Sequence, residues 1–149
     1  MIKIFGQLLV LILCASCVSA FSPRTAHLPQ GICTRDINEW GHAGNCSCES
    51  NLQYDPRSGL CIDAQTTESI TIQGVVTADA MAIGGETTGF VIESKEGRSY
   101  ELILRISDQK KIRKLSGMWF EVEGGPLVIH SVELKKRNSI IVERIRVLE

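Results

Sequence analysis

The sequence predicts an all-β protein: a small β domain carrying one short helix, preceded by a disulfide-stapled, loop-rich segment. Three observations predict it. From Ile70 onward, β-branched residues alternate with polar ones at the two-residue period of half-buried strands. Cys33, Cys46, Cys48 and Cys61 crowd into one stretch, and no cysteine follows them. The polar run 108–114 is the one stretch with helical spacing, and it is short.

The chain opens with Met1-Ile2-Lys3, an apolar run from Ile4 to Leu13, and small residues up to Ala20. That layout predicts a secretory signal peptide over 1–20, with Val18 and Ala20 at the −3 and −1 positions of a cut before Phe21. The apolar run is shorter than the roughly 20 residues a membrane-spanning helix needs, so no transmembrane segment is expected. The expected destination is secreted or periplasmic. Ala15-Ser16-Cys17 also resembles the end of a bacterial lipobox, although Cys14 stands where an aliphatic residue belongs. A lipoprotein anchored at Cys17 is therefore the alternative.

The full chain has 16 Lys and Arg against 17 Asp and Glu, and losing Lys3 with the signal leaves 15 basic residues. Such a balance does not mark a polyanion binder. Cys14 and Cys17 also leave with the signal, and the four remaining cysteines are spaced C-x12-C-x-C-x12-C. An even count in an exported chain predicts two disulfides. A Cys46–Cys48 bridge would close too small a ring. Of the two pairings left, Cys33–Cys46 with Cys48–Cys61 needs only local loops. The segment is too short to bury a core, so its bridges must hold it.

Taken in order, residues 21–32 have no periodicity and two prolines, and are expected to form a leader ahead of the cysteine segment; together they make up 21–65. Thr66–Ser69 is a polar hinge. Ile70–Val76 alternates as a strand, and Thr77–Thr88, rich in small residues, is expected as a loop. Phe90–Ser94 and Ser99–Leu104 flank a Lys95–Arg98 turn. Asp108 is expected to cap a helix reaching Lys114, with Ile112 and Leu115 three apart. Leu115–Gly124 is the fourth strand; parity with Val122 turns Phe120 and Met118 inward and Trp119 outward. Gly125–Asn138 is expected as a long connection, with room for a short strand of its own, before the closing strand Ser139–Val147. Gly74 and Gly124 each end an apolar-x-apolar-x-Gly run, a pattern that marks a bulge or a sharp bend.

Two family resemblances follow from these residues. Cys46-Ser47-Cys48, Tyr54 and Gly59-Leu60-Cys61 resemble the second half of EGF-like and trypsin-inhibitor-like modules, whose last two cysteines pair. This covers about thirty residues and lacks the other cysteines of those modules. Residues 66–149 form the second domain, and within it about 70–148 resemble the OB-fold in the order strand, loop, hairpin, helix, glycine-flanked strand and terminal strand. They are most similar to small OB-fold domains of exported bacterial proteins. The resemblance implies a five-stranded OB-like barrel that binds through the face of strands two and three and through the 77–88 and 125–138 loops.

Chemical motifs are sparse. Cys33, His42, Cys46, Cys48 and Cys61 do not have a standard zinc spacing, and disulfides compete for the thiols. Asp36-Ile37-Asn38-Glu39 resembles the opening of a calcium-binding EGF-like module. Trp40, however, stands where that module has a cysteine. No metal or cofactor is expected. His27, His42 and His130 sit in no nucleophile motif, and Ser58 and Ser116 lack the flanks of a nucleophile elbow. Glu121 and Glu123 share a strand face, the arrangement of an acid–base pair and equally of a wet face. Lys110-Lys111-x-Arg113-Lys114 and Lys135-Lys136-Arg137 supply charge for nucleic acid, but stacking aromatics are few and Trp119 has acidic neighbours. Nucleic acid is not an expected partner.

The function expected is an exported, non-catalytic binding or interaction module for a protein, peptide or oligosaccharide. Trp119, His130, Lys135, Lys136 and Arg137 are its candidate ligand-binding residues. The alternative is a small secreted inhibitor, or enzyme-associated protein, acting through the cysteine segment.

Overall fold

A computed structural model describes residues 23–49, 51–63, 68–81, 87–130 and 136–149. The expected signal peptide with Cys17, hinge residues Thr66 and Thr67, the centre of the expected 77–88 loop, and Lys135 lie outside the described residues. The described residues are all-β with one short helix. In order the elements are β1 (Arg24–His27), β2 (Leu52–Asp55), β3 (Leu60–Asp63), β4 (Ile70–Met81), β5 (Thr87–Ser94), β6 (Ser99–Ile103), α1 (Ile106–Arg113), β7 (Trp119–His130) and β8 (Lys136–Val147).

From β4 onward the pairings run in a circuit. β4 pairs antiparallel with β5 and β5 with β6; β6 pairs parallel with β8; β8 and β4 both pair antiparallel with β7. Val76, Phe90, Ile92, Leu102, Phe120, Val122, Ile140 and Val142 fill its interior, and Ile112 of α1 adds to that core. Phe120 and Val122 thus face inward, as strand parity requires.

Met118 does not. It is 42% exposed, because β7 begins only at Trp119, after Gly117 (φ +88°) has turned the chain. Parity holds only where the backbone is extended. Asp108 is not the helix cap either. Arg105 occupies that position without a side-chain cap bond, and Asp108 lies in the first turn. The Ile106 N–H instead donates to the Glu39 carbonyl at 2.9 Å, so the cysteine segment satisfies the start of α1.

The described residues of both expected loops prove to be strand. β4 continues to Met81 and pairs with β5 back to Thr87. Most of Gly125–Asn138 belongs to one long hairpin, paired from Phe120↔Val147 to His130↔Lys136. Gly-Gly-Pro is a local breaker, but here it sits at a register shift after Glu123 and the ladder resumes beyond it. A side chain at Gly124 would collide with the Ile141 carbonyl, and one at Gly74 with the Glu93 carbonyl. At both positions neighbouring backbones approach too closely for anything but glycine.

The expected loop-rich segment supplies three strands of its own, so the whole sheet has eight. Cys33 bonds Cys46 and Cys48 bonds Cys61. β2 and β3 form a hairpin, and β1, read from sequence as leader, runs antiparallel to β3 and parallel to β7. Residues 24–27 have no period of their own because they are held from both sides. Ala26, Trp40, Leu60 and Ile62 close with Leu127 and Ile141 into a second core on the outer side of β7 and β8.

Candidate functional site

Trp119 opens β7 opposite Val75 of β4 and is 42% exposed. Its backbone is pinned, since its carbonyl accepts the Leu148 N–H at 2.8 Å. The Lys95 ammonium lies over the indole, 5.6 Å from the ring centre. From there a polar chain crosses three strands. Lys95 Nζ donates to Gln73 Oε1 at 3.3 Å, Gln73 Nε2 to Glu121 Oε2 at 2.8 Å, and Arg146 Nε to Glu121 Oε1 at 2.8 Å. Gln73, Glu121 and Arg146 stand directly across from one another on β4, β7 and β8. In the next row Glu123 pairs with Arg144 at 3.0 Å.

Hydrogen bonds from Gln73 and Arg146 hold the Glu121 carboxyl below its ordinary pKa. It stays ionised and is a poor proton acceptor at neutral pH. Glu121 and Glu123 are therefore rungs of an ion-pair ladder on the outer face.

Beside this face lies a groove of about 490 Å³. Ile70, Ile72 and Tyr100 line it with apolar surface, and Lys95, Glu96 and Arg98 with charge. Ile70, Ile72 and Tyr100 also pack against the inner core, so the groove opens onto the hydrophobic interior.

The other candidate residues lie elsewhere. His130 ends β7, up to about 36 Å along the strand from Trp119 at ~3.3 Å per residue. Its ring stacks on His27, with centroids 5.9 Å apart. Lys136 is exposed opposite it. Arg137 NH1 donates to Glu101 Oε1 at 3.1 Å, and burial raises the Glu101 pKa against the opposing pull of Arg137 and Ser139. Trp119 is thus separated from His130, Lys136 and Arg137, while Lys135 is outside the described residues. Lys95, Gln73 and the groove residues escaped sequence reading because strand crossing, not spacing, brings them together. The outward parity of Trp119 was the one signal available.

In the cysteine segment Asn38 Oδ1 accepts the Trp40 and His42 N–H groups at 2.8 and 3.2 Å, and Nδ2 donates to the Pro56 carbonyl at 2.6 Å. This member of the calcium-like tetrapeptide is occupied in building its loop. Burial lowers the His42 pKa below its ordinary value, with Asp55 opposing. Among the described residues, no three His, Cys, Asp or Glu side chains gather as a metal site requires. Ile32 is 87% exposed beside Cys33.

No protein-family model, curated protein or solved structure matches this chain.

Proposed function

We propose that this chain is an exported, non-catalytic binding module that works through an OB-like barrel. Five strands paired in a circuit, with a helix between the third and fourth, support the barrel reading. Two disulfides support export, since such bonds persist in oxidising compartments. The observation that carries the function is Trp119. It is a large aromatic left in solvent, pinned by its backbone and flanked by Lys95 and a groove. Exposed, rigidly mounted tryptophans are the residues most enriched among binding hot spots. The polar groups beside it are spent on one another, an arrangement suited to recognition more than to proton transfer.

The second reading, an inhibitor acting through the cysteine segment, rests on Ile32. Capture of partners from the native extracytoplasmic fraction separates the two. A partner held by wild type and by Ile32→Asp, but lost by Trp119→Ala, assigns function to the barrel; the reverse pattern assigns it to the cysteine segment. Export is checked by intact mass: the mature chain should begin at Phe21 and contain no free thiol. A diacylglycerol on Cys17 would replace secretion with anchoring.

A further inference from the structure

Resting on the binding-module reading, we infer that the groove takes an extended peptide, which adds to the free edge of β4 as a further strand and brings an acidic side chain. β4 pairs with β7 all along Ile70–Val75, but with β5 only from Gly74 onward. Ile70–Gln73 therefore have a strand on one side alone among the described residues. The cause is the end of β5: its last residue, Ser94, stands opposite Gly74, and the Lys95–Arg98 turn then leads the chain back into β6.

The free edge has its hydrogen-bonding groups aimed outward. The Val76 N–H donates to Met118 O at 3.1 Å, and its carbonyl accepts the Gly117 N–H at 2.7 Å, both on the β7 side. Main-chain groups alternate sides in an antiparallel strand. Gly74, Ile72 and Ile70 thus face β7, while Thr71 and Gln73 turn their N–H and C=O groups to the groove. An unpaired edge of this kind is a template for strand addition.

The groove determines what can enter. Its far wall is the turn after β5, held by Ser94 N–H to Arg98 O at 2.8 Å and by Gly97 N–H to Ser94 O at 3.0 Å. A walled edge admits a single extended segment more readily than the edge of a second folded sheet. Alternate side chains of that segment would drop onto Ile70, Ile72 and Tyr100. Its volume lies within the range of ligand sites, about 300–1,000 Å³. The charge at the rim gives the sign. Lys95 and Arg98 both attract the Glu96 carboxylate, which Ser94 also holds by a hydrogen bond, so the rim carries two cations to one anion and keeps an excess positive charge. A carboxylate on the peptide is the complement.

The probe is a phage-displayed library of random linear peptides, selected on the intact oxidised protein. Enriched peptides should alternate apolar residues with at least one acid. Their binding should protect the Thr71 and Gln73 amides from hydrogen exchange. Thr71→Pro removes an edge donor without touching the β7 ladder and should weaken binding at least tenfold; Arg98→Ala should weaken it several-fold and flatten its salt dependence. No enrichment, or bound peptides that leave the Thr71 and Gln73 amides unprotected in wild type, overturns the inference whether or not the proline variant folds. A sedimentation mass that doubles in wild type and falls back in Thr71→Pro replaces the peptide with a second copy. If the captured partner still depends on Trp119 while no peptide enriches, the peptide inference alone fails. If the partner is indifferent to both Trp119→Ala and Thr71→Pro, the binding-module reading fails with it.

Discussion

Ile140 and Ile141 are consecutive in β8, both fully buried, and they face different cores. Ile140 enters the core inside the five-strand circuit; Ile141 meets Trp40, Leu60 and Ile62 of the cysteine segment on the other side. A strand alternates faces at every residue, so two adjacent buried isoleucines require cover on both sides. The cysteine segment is that cover.

The two cores should respond separately to reduction. Opening both disulfides should release β1–β3 and expose Trp40, while the circuit around Phe120 stays paired. Trp40 emission should shift to the red, and amide protection in β5 and β6 should persist. Replacing Cys48 and Cys61 by alanine should cost about 2–5 kcal/mol, the usual scale for a native bridge in a small secreted domain.

Phe120→Ala and Trp119→Ala, one residue apart, should differ sharply. Phe120 is 2% exposed inside the main core, and emptying its site should cost roughly 3–5 kcal/mol. Trp119, 42% exposed and outside the main core, should lose a surface cation–π contact with Lys95, worth about 0.5–1 kcal/mol, and the packing of its covered part, less in all than Phe120. Urea unfolding of both variants checks the contrast.

Arg137→Ala should destabilise the protein by about 1–3 kcal/mol, the scale of a charge-assisted hydrogen bond that leaves its partner half buried. The loss should be larger at pH 7 than at pH 4. Burial already raises the Glu101 pKa, and without Arg137 it rises further. The carboxylate then costs most where it is ionised. Adding Glu101→Gln to Arg137→Ala should recover part of the stability at pH 7.

Stability should fall as the solution is acidified below about pH 6.5. His42 has its folded pKa lowered by burial, so in the window beneath the unfolded value the unfolded chain binds more protons. Stability therefore rises with pH through that window. His42→Gln should flatten this part of the urea-midpoint curve and leave the more acidic part, where carboxylates titrate, unchanged.

What the sequence disclosed and what it withheld divide along physical lines. The inward Phe120 and Val122, the outward Trp119 and the approximate place of the short helix were legible because strand parity and a short polar run with one apolar residue, Ile112, are local properties, although Leu115 falls in the turn beyond the helix. The length of the β7–β8 hairpin was not: Gly124-Gly125-Pro126 reads locally as an interruption, and only pairing with residues 140–142 carries the strand through it. β1 was hidden for the same reason, since Arg24-Thr25-Ala26-His27 is a strand by virtue of its neighbours. The groove was out of reach altogether. It is a missing partner, left where β5 ends opposite Gly74 and turns back into β6.

Arg24 stands opposite Leu127, and Ala26 opposite Ile129, about a hundred residues later in the chain. A chain delivered N-terminus first presents β1 long before β7 exists to receive it. Each disulfide, by contrast, links cysteines only 13 residues apart and closes a short loop as soon as it is delivered. The bridges need nothing from β7, whereas the second core does: Ala26, Trp40, Leu60 and Ile62 have no cover until Leu127 and Ile141 are in place. On the proposed export route, the surface most exposed to wrong contacts therefore belongs to the part that emerges first.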